Sequence, residues 1–442
     1  MPTDQLTLFR DLNSSNKLQE KDLSIHQWYR FVLSYPPHLV RYYLEEFGIS
    51  SDHTVLDPFC GTGTTMVECK KKGIPSIGIE ANEIAAFAAR VKTHWDVDVG
   101  SFQSVADRIA KAAQKRLKQE GIHDGDTENE QTPEAISLLR KLSPDTEKLL
   151  LKNSISPYPL HKTLVLLDVI EKQKSDYADY YKLALATALV TSIGNLHFGP
   201  EVGVRHIKKD SQVISSWLDR VHEMARDLHD ISSPPIPEAV VHHADSREIQ
   251  QILSPGSVDA VITSPPYPNE KDYTRTTRLE SVLLGFLRDR PQLRAMKKNL
   301  LRSNTRGVYK EDDDDVWVAQ YAKICAIADE IEQRRISMGK TSGFERLYAR
   351  VTKLYFGGMR RHLAELRTIL RPGAHLAYVV GDQASYLRVM IRTGKLLAMI
   401  AESLGYQVIR IDLFRERLAT ATREMLREEV LVLRWPGESP ED

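Results

Sequence analysis

Apolar and polar positions along this chain follow two rhythms. Short apolar runs of strand length stand far apart, and between them apolar residues recur with the roughly 3.6-residue period of a helix. That is the pattern of an α/β fold, a Rossmann-like, mostly parallel sheet covered by helices. The strands read as residues 55–56, 76–79 (ending in Glu80), 239–243 (leading to Asp245), 258–262 and 375–380. Residues 406–414 and 429–435 are expected to pair as an antiparallel end, which makes seven strands. A helix is expected from Thr64 to Lys72, stopped at Gly73.

Two long segments interrupt the strands, residues 101–238 and 271–355. Structureless connections longer than about 15 residues are uncommon in compact domains, so both are expected to be helical additions. The first carries an acidic, turn-rich break at 121–134 and ends in a Ser/Pro linker at 232–237, and the second carries an acidic run at 311–315 that reads as a solvated loop.

The composition narrows the class. A chain of 442 residues with 42% apolar content holds two or three domains and a sizeable core. The longest apolar-leaning stretch, 183–196, is too short to cross about 30 Å of hydrocarbon, so no membrane association is expected. The N-terminus does not read as a secretion signal, and three scattered cysteines are too few for a disulfide framework or a zinc cluster. A reducing, cytoplasmic setting is expected, with no metal.

Asp57-Pro-Phe-Cys-Gly-Thr-Gly-Thr-Thr65 links the first strand to a helix. Such a turn lets backbone approach a ligand beside the positive end of the helix dipole. A dinucleotide site wants glycine where Met66 stands, and a phosphate-gripping loop wants lysine where Thr64 stands. What remains is a ligand with an adenosine and an amino-acid tail but no phosphate. Glu80, 17 residues after Gly63, stands where a carboxylate accepts both ribose hydroxyls. S-adenosylmethionine fits, with Asp57, Phe59, Gly61, Gly63, Thr64, Thr65 and Glu80 as candidate contacts. A tight turn with no ligand is the alternative, and Cys60 reads as a small buried residue rather than a nucleophile.

This segment resembles the cofactor motif VLDPFxGxGTT of the amino-group DNA methyltransferases. The resemblance implies an aromatic-rich segment upstream against the methionine end of the cofactor, for which residues 24–37 (SIHQWYRFVLSYPP) are the candidate. It also implies a carboxylate or amide near the adenine amine, for which Asp245 stands at the corresponding place; a helix N-cap is the alternative.

Thr263-Ser-Pro-Pro-Tyr267 follows the fourth strand, so it lies at the carboxyl edge of the sheet, where open α/β sheets bind ligands. Pro265 and Pro266 fix the backbone and donate no hydrogen bonds, which leaves stiffly presented carbonyls. An exocyclic base amine is a poor nucleophile because its lone pair is delocalised. Acceptors at Ser264 and Pro265 holding both its hydrogens would turn that lone pair toward a methyl donor, and Tyr267 offers a flat surface for an extruded base. Transfer is then a direct in-line displacement with no covalent intermediate.

The motif resembles the [Ser/Asp/Asn]-Pro-Pro-[Tyr/Phe] signature of the same family. Serine in first position implies the N4 amine of cytosine, and aspartate the N6 amine of adenine, which stays as the alternative. Gly381-Asp382 resembles the loop that closes the base pocket. Methylation at carbon 5 needs a cysteine after proline, and no Pro-Cys pair occurs. Methylation of RNA or of a protein glutamine, and a scaffold without turnover, are further alternatives.

Charge enters last. The chain has 60 Lys+Arg and 60 Asp+Glu, which argues against a wholly basic nucleic-acid binder. Residues 271–310, however, hold eleven Lys/Arg against three Asp/Glu, a net of +8 beginning four residues after Tyr267. Lys271, Arg275, Arg278, Arg302, Asn304 and Arg306 are the candidate contacts to double-stranded DNA, with Arg302-Ser-Asn-Thr-Arg306 as a target-contacting loop. The alternative is a solvated basic helix. His222 and His229, seven apart, do not have the spacing of a zinc-protease helix.

The parts are then 1–100 (N-terminal segment and cofactor half), 101–238 (helical insertion), 239–270 (catalytic strand and motif), 271–355 (basic insertion, candidate target recognition) and 356–442 (end of the core). The resemblance alone implies a prokaryotic restriction–modification or epigenetic role, at the nucleoid, with a cognate restriction endonuclease encoded separately.

Overall fold

Every one of the seven apolar runs becomes a strand of one sheet in the computed structural model, which describes residues 18–29, 34–125, 129–199, 201–231, 237–418 and 424–437. In chain order the strands are β1 (Val55–Asp57), β2 (Ser76–Glu80), β3 (Leu196–Phe198), β4 (Val202–Val204), β5 (Ala239–His243), β6 (Val258–Thr263), β7 (Leu370–Gly381), β8 (Gln407–Leu418) and β9 (Met425–Arg434). The main sheet runs β5-β2-β1-β6-β7-β9-β8. Its first five members are parallel, and β9 runs antiparallel to both its neighbours.

Alternation along the strands divides the core. Val55, Ala260, Ile262, Ala377 and Val379 face Leu39, Val40 and Tyr43 of the helix Pro37–Glu46. Leu56, Val258, Val261, Leu376 and Tyr378 face Tyr355, Phe356 and Met359 of the helix Tyr348–Leu366. The helix after the glycine loop spans Thr64–Lys71, close to its expected bounds.

The first insertion packs its helices Val99–Gln119, Pro157–Gln173, Ala178–Ala188 and Ile214–Asp230 around Trp217 and around Phe102 stacked on Tyr181 at 5.2 Å, in a core shared with Trp28, Phe87 and Leu279. It is not wholly helical. β3 and β4 form a separate antiparallel hairpin within it, where short apolar residues alternate on either side of a Gly-Pro-Glu turn sequence. Residues 126–128 of the acidic break and 232–236 of the linker lie outside the described residues.

The acidic run of the second insertion is exposed at Glu311 and Asp313 but is not a solvated loop throughout. Asp314 is buried and binds the Arg247 guanidinium at 2.5 Å, while Asp312 takes Arg302 in a two-point pair at 2.7 and 2.9 Å. Opposite charge draws the run inward, and its backbone then lies directly on Gly357 of the helix Tyr348–Leu366. A Cβ at Gly357 would stand 1.8 Å from the Asp314 carbonyl oxygen. Among the described residues no helix is long and apolar enough to cross a membrane.

This contact sets two effects against each other. Alanine in a helix interior is worth about 1 kcal/mol over glycine, whereas forcing packed backbone apart costs about 1–3 kcal/mol or more. Gly357→Ala should therefore lower the Tm by several degrees in a thermal scan; an unchanged or raised Tm would mean the acidic run is not seated there.

Candidate active site

The carboxyl ends of β1, β2, β6 and β7 open onto one cavity of about 690 Å³. Its first wall is the glycine loop. Gly63 caps the helix Thr64–Lys71 with φ of +84°, a left-handed geometry that only glycine adopts without cost. A Cβ there would meet Ala89 at 3.1 Å, so Gly63 serves the turn and the packing and does not line the cavity. Gly61 does line it, with open space where a side chain would be. Its N–H donates to Glu80 Oε2 at 2.9 Å, and the Asn82 N–H donates to Oε1 at 2.7 Å. Burial pushes the Glu80 carboxyl up to about 7 in spite of these bonds. Phe59 and Thr64 complete this wall, the Phe59 ring edge-on to His362 at 4.9 Å.

Asp57 points inward instead. Its Oδ1 accepts from the Thr263 hydroxyl at 2.6 Å and the Phe59 N–H at 3.1 Å. Its Oδ2 accepts from the Thr65 hydroxyl at 2.8 Å and the Tyr35 hydroxyl at 3.1 Å. Burial still raises this carboxyl to about 6. Asp57 and Thr65 thus hold the loops rather than line the cavity, against the expectation of direct ligand contact. Asp245 is likewise spent locally: it caps residues 246–251 through the Arg247 N–H and clasps the Arg247 guanidinium at 2.6 Å. The N-cap alternative holds there.

The second wall is Ser264, Pro265, Pro266 and Tyr267. The Ser264 hydroxyl donates to the Val379 carbonyl at 3.2 Å. Tyr267 lies flat enough on the chain at Gly381 that a Cβ there would come within 2.8 Å of its ring. Asp382 next door is buried and fixed by Arg392 at 2.5 Å.

The cavity has further lining residues, some of them within segments already singled out in the sequence. Ser34, Tyr35 and Pro36 line the cavity, while Tyr29 turns away to Glu280 at 2.6 Å and residues 30–33 lie outside the described residues. Asn82 and Asn304 line it too, each with a buried Oδ1 that has no partner among the described residues. Arg415, Arg417 and Glu428 reach it from the β8–β9 hairpin.

The basic segment is less free than its net charge implies. Arg278 is buried against backbone carbonyls of Thr274 and Leu149, and Arg302 is buried in its pair with Asp312. Both guanidinium groups are buried: Arg278 is an internal tie rather than an exposed DNA contact, and Arg302 lines the cavity but is held by Asp312. Arg275 and Arg306 are about one-third exposed, and each lies 3.7 Å from the same carboxylate, Glu201, just before β4. Lys271 lines the cavity, as does Asn304, whose side-chain NH₂ donates to the Lys271 carbonyl at 3.1 Å.

Residues 5–89 match the family model described as DNA methylase, a span that includes the glycine loop and Glu80. The chain is 26% identical over 433 residues to the Type II methyltransferase M.BsoBI of Geobacillus stearothermophilus, covering 92% of this chain and 83% of that one. It is 24% identical over 445 residues to M.AvaI of Anabaena variabilis, covering 93% and 86%. A 74-residue stretch is 35% identical to M.MjaII of Methanocaldococcus jannaschii, covering 17% and 14%. The chain is thus similar to DNA methylases over residues 5–89 and to Type II methyltransferases over most of its length. Its methyl donor is S-adenosylmethionine. The cavity fits that ligand: open space at Gly61, a buried carboxylate at Glu80 and an unmatched acceptor on Asn82 supply what an adenosine with hydroxyl and amine donors requires.

For this DNA methylase the Glu201 contacts predict a charge effect. Glu201→Gln leaves Arg275 and Arg306 uncompensated, so duplex affinity at low salt should rise and the plot of log K against log salt should steepen. An unchanged slope would show that neither arginine meets DNA.

Proposed function

We propose that the enzyme methylates the N4 amine of cytosine at a specific site in duplex DNA, with the target base extruded into the cavity. The Ser264 hydroxyl carries this reading. It donates to the Val379 carbonyl and also meets the Tyr267 side chain, which holds the oxygen in place with a lone pair left to accept from an amine. The Pro265 carbonyl is the second acceptor, and Tyr267 provides the stacking face. Serine as the first residue of the motif favours cytosine over adenine.

S-adenosylmethionine supplies, when bound, an electrophilic methyl group on a sulfonium. Glu80 would take its ribose hydroxyls, with Phe59, Gly61, Thr64 and Asn82 around the adenosine. Ser264 and Pro265 hold the two amine hydrogens and keep the nitrogen lone pair directed across the cavity. Tyr267 excludes water from one face of the base. Lys271, Arg275, Asn304 and Arg306 position the duplex outside. The names of the full-length relatives support a Type II role, in the bacterial cytoplasm and alongside a separately encoded endonuclease of the same target.

Hydrolysing DNA methylated by the enzyme to nucleosides, and identifying the modified one, tests the base. N4-methylcytosine is expected, and N6-methyladenine would replace cytosine by adenine. Tyr267→Ala should lower kcat by roughly 10²-fold or more while cofactor affinity stays within about twofold; the reverse split would mean the pocket is misassigned.

Glu80 adds a pH dependence. Its carboxyl, raised to about 7 by burial, accepts two hydroxyls best when ionised. Cofactor affinity measured by calorimetry should therefore rise several-fold from about pH 6 to about pH 8. Glu80→Gln should bind weakly with no such rise, and a flat parent profile would remove Glu80 from the ribose.

A further inference from the structure

Lys271 and Arg417 reach the cavity from two distant parts of the chain. Lys271 lies four residues beyond Tyr267, and Arg417 stands on β8, two residues beyond Arg415. Both line the cavity that Ser264 to Tyr267 also line. Most cations around them are already matched. Lys297 binds Asp272 at 2.8 Å, Arg302 binds Asp312, and Arg275 and Arg306 share Glu201. Arg415 is locked to Glu428 through two bonds of 2.7 and 3.0 Å. Among the described residues, neither the Lys271 ammonium nor the Arg417 guanidinium has a hydrogen bond or ion pair.

The two are also close enough to feel each other. The Lys271 ammonium is driven below its ordinary proton affinity by burial first and by the Arg417 charge next. Glu428 and Glu201 act on it in the opposite sense, but both already hold arginines. A half-buried Lys271 and an exposed Arg417 carry like charges that repel, and an anion between them relieves that repulsion. An arginine and a lysine together suit a phosphodiester, which offers one oxygen to the guanidinium fork and another to the ammonium.

We propose that Lys271 and Arg417 form a phosphate site at the mouth of the cavity, which grips the phosphodiester flanking the extruded nucleotide. The proposal rests on the DNA-methylase reading above and adds the C-terminal hairpin to the surface that handles DNA. The shared chemistry is an anionic oxygen pair, and the other source of one is the carboxylate of the cofactor's methionine end. The grip acts on the flipped state more than on the duplex, because the phosphate reaches the mouth only when its nucleotide leaves the stack.

The test uses Lys271→Gln and Arg417→Gln, singly and together, in the full chain. First, modification mapping of DNA methylated by the parent enzyme supplies the target sequence; if the parent methylates no DNA, the underlying reading falls before any variant is made. Each variant should then make the slope of log K against log salt shallower by about 0.9 on the target duplex. With 2-aminopurine at the modified position, the parent should brighten the probe on binding. The double variant should lose at least about tenfold of the extruded fraction at saturating protein. Its S-adenosylmethionine affinity by calorimetry should match the parent, which also reports intact folding. An unchanged salt slope, or full 2-aminopurine brightening in the double variant, overturns the site. A tenfold loss of cofactor affinity assigns the pair to the methionine carboxylate and overturns it equally.

Discussion

Asp57 ends β1 with its carboxylate buried and four donors around it: the hydroxyls of Thr263, Thr65 and Tyr35 and the N–H of Phe59. No cation offsets the burial, so the hydrogen bonds alone compensate for lost hydration, and they do so incompletely, since the carboxyl still sits near 6. The arrangement matters for what it joins. Thr263 opens the Ser-Pro-Pro-Tyr loop, Phe59 and Thr65 belong to the glycine loop, and Tyr35 comes from the N-terminal segment. Removing the acceptor would leave several buried donors unmatched at about 1–3 kcal/mol each. Cofactor loop and catalytic loop are therefore parts of one rigid unit. A methyl transfer that depends on near-contact distances between two ligands needs that rigidity.

A second constraint is charge. A net of zero conceals a redistribution in which acidic residues are used as internal counter-ions. Asp314 and Asp312 leave the surface to hold Arg247 and Arg302, and in doing so they tie the second insertion to the core helix at Gly357. The basic segment consequently presents far fewer cations than its +8 suggests. Those that remain near the cavity are either shared with Glu201 or, like Lys271, left without a partner. On the proposed reading, affinity for DNA would then rest on a few phosphate contacts that position the duplex.

The strands, the two loops and their common cavity were legible because each depends on local pattern: period-two apolar runs, a Gly-x-Gly turn, and a rigid Pro-Pro segment at a strand end. Roles that depend on distant partners were not. Asp57 and Thr65 look like ligand contacts in a motif, and only the position of Thr263, some two hundred residues on, turns them inward. Arg302 looks exposed in a basic run until Asp312 folds back onto it. Tyr35, Asn82 and the Arg415–Glu428 pair reach the cavity through tertiary packing that no periodicity encodes. The β3–β4 hairpin is a different case. Its alternating residues were readable, but the long helical context around them masked so short a signal.

The antiparallel end of the sheet links these points. Because β9 lies between β7 and β8, the chain must return through a long hairpin, and both arms run past the cavity edge. The β8–β9 register slips between Leu413 and Arg415, so Phe414 is the extra residue of a bulge. Bulges increase twist and re-aim the side chains around them. Phe414 is buried and lines the cavity, and beyond it Arg415 and Arg417 also line the cavity rather than continuing a flat edge. A strand arrangement that only closes the sheet in hydrogen-bonding terms thereby gives the cavity its outer wall. On the proposed reading, the parallel half supplies the wall from Ser264 to Tyr267 where transfer occurs and the antiparallel half supplies the charged rim that would handle the nucleic acid.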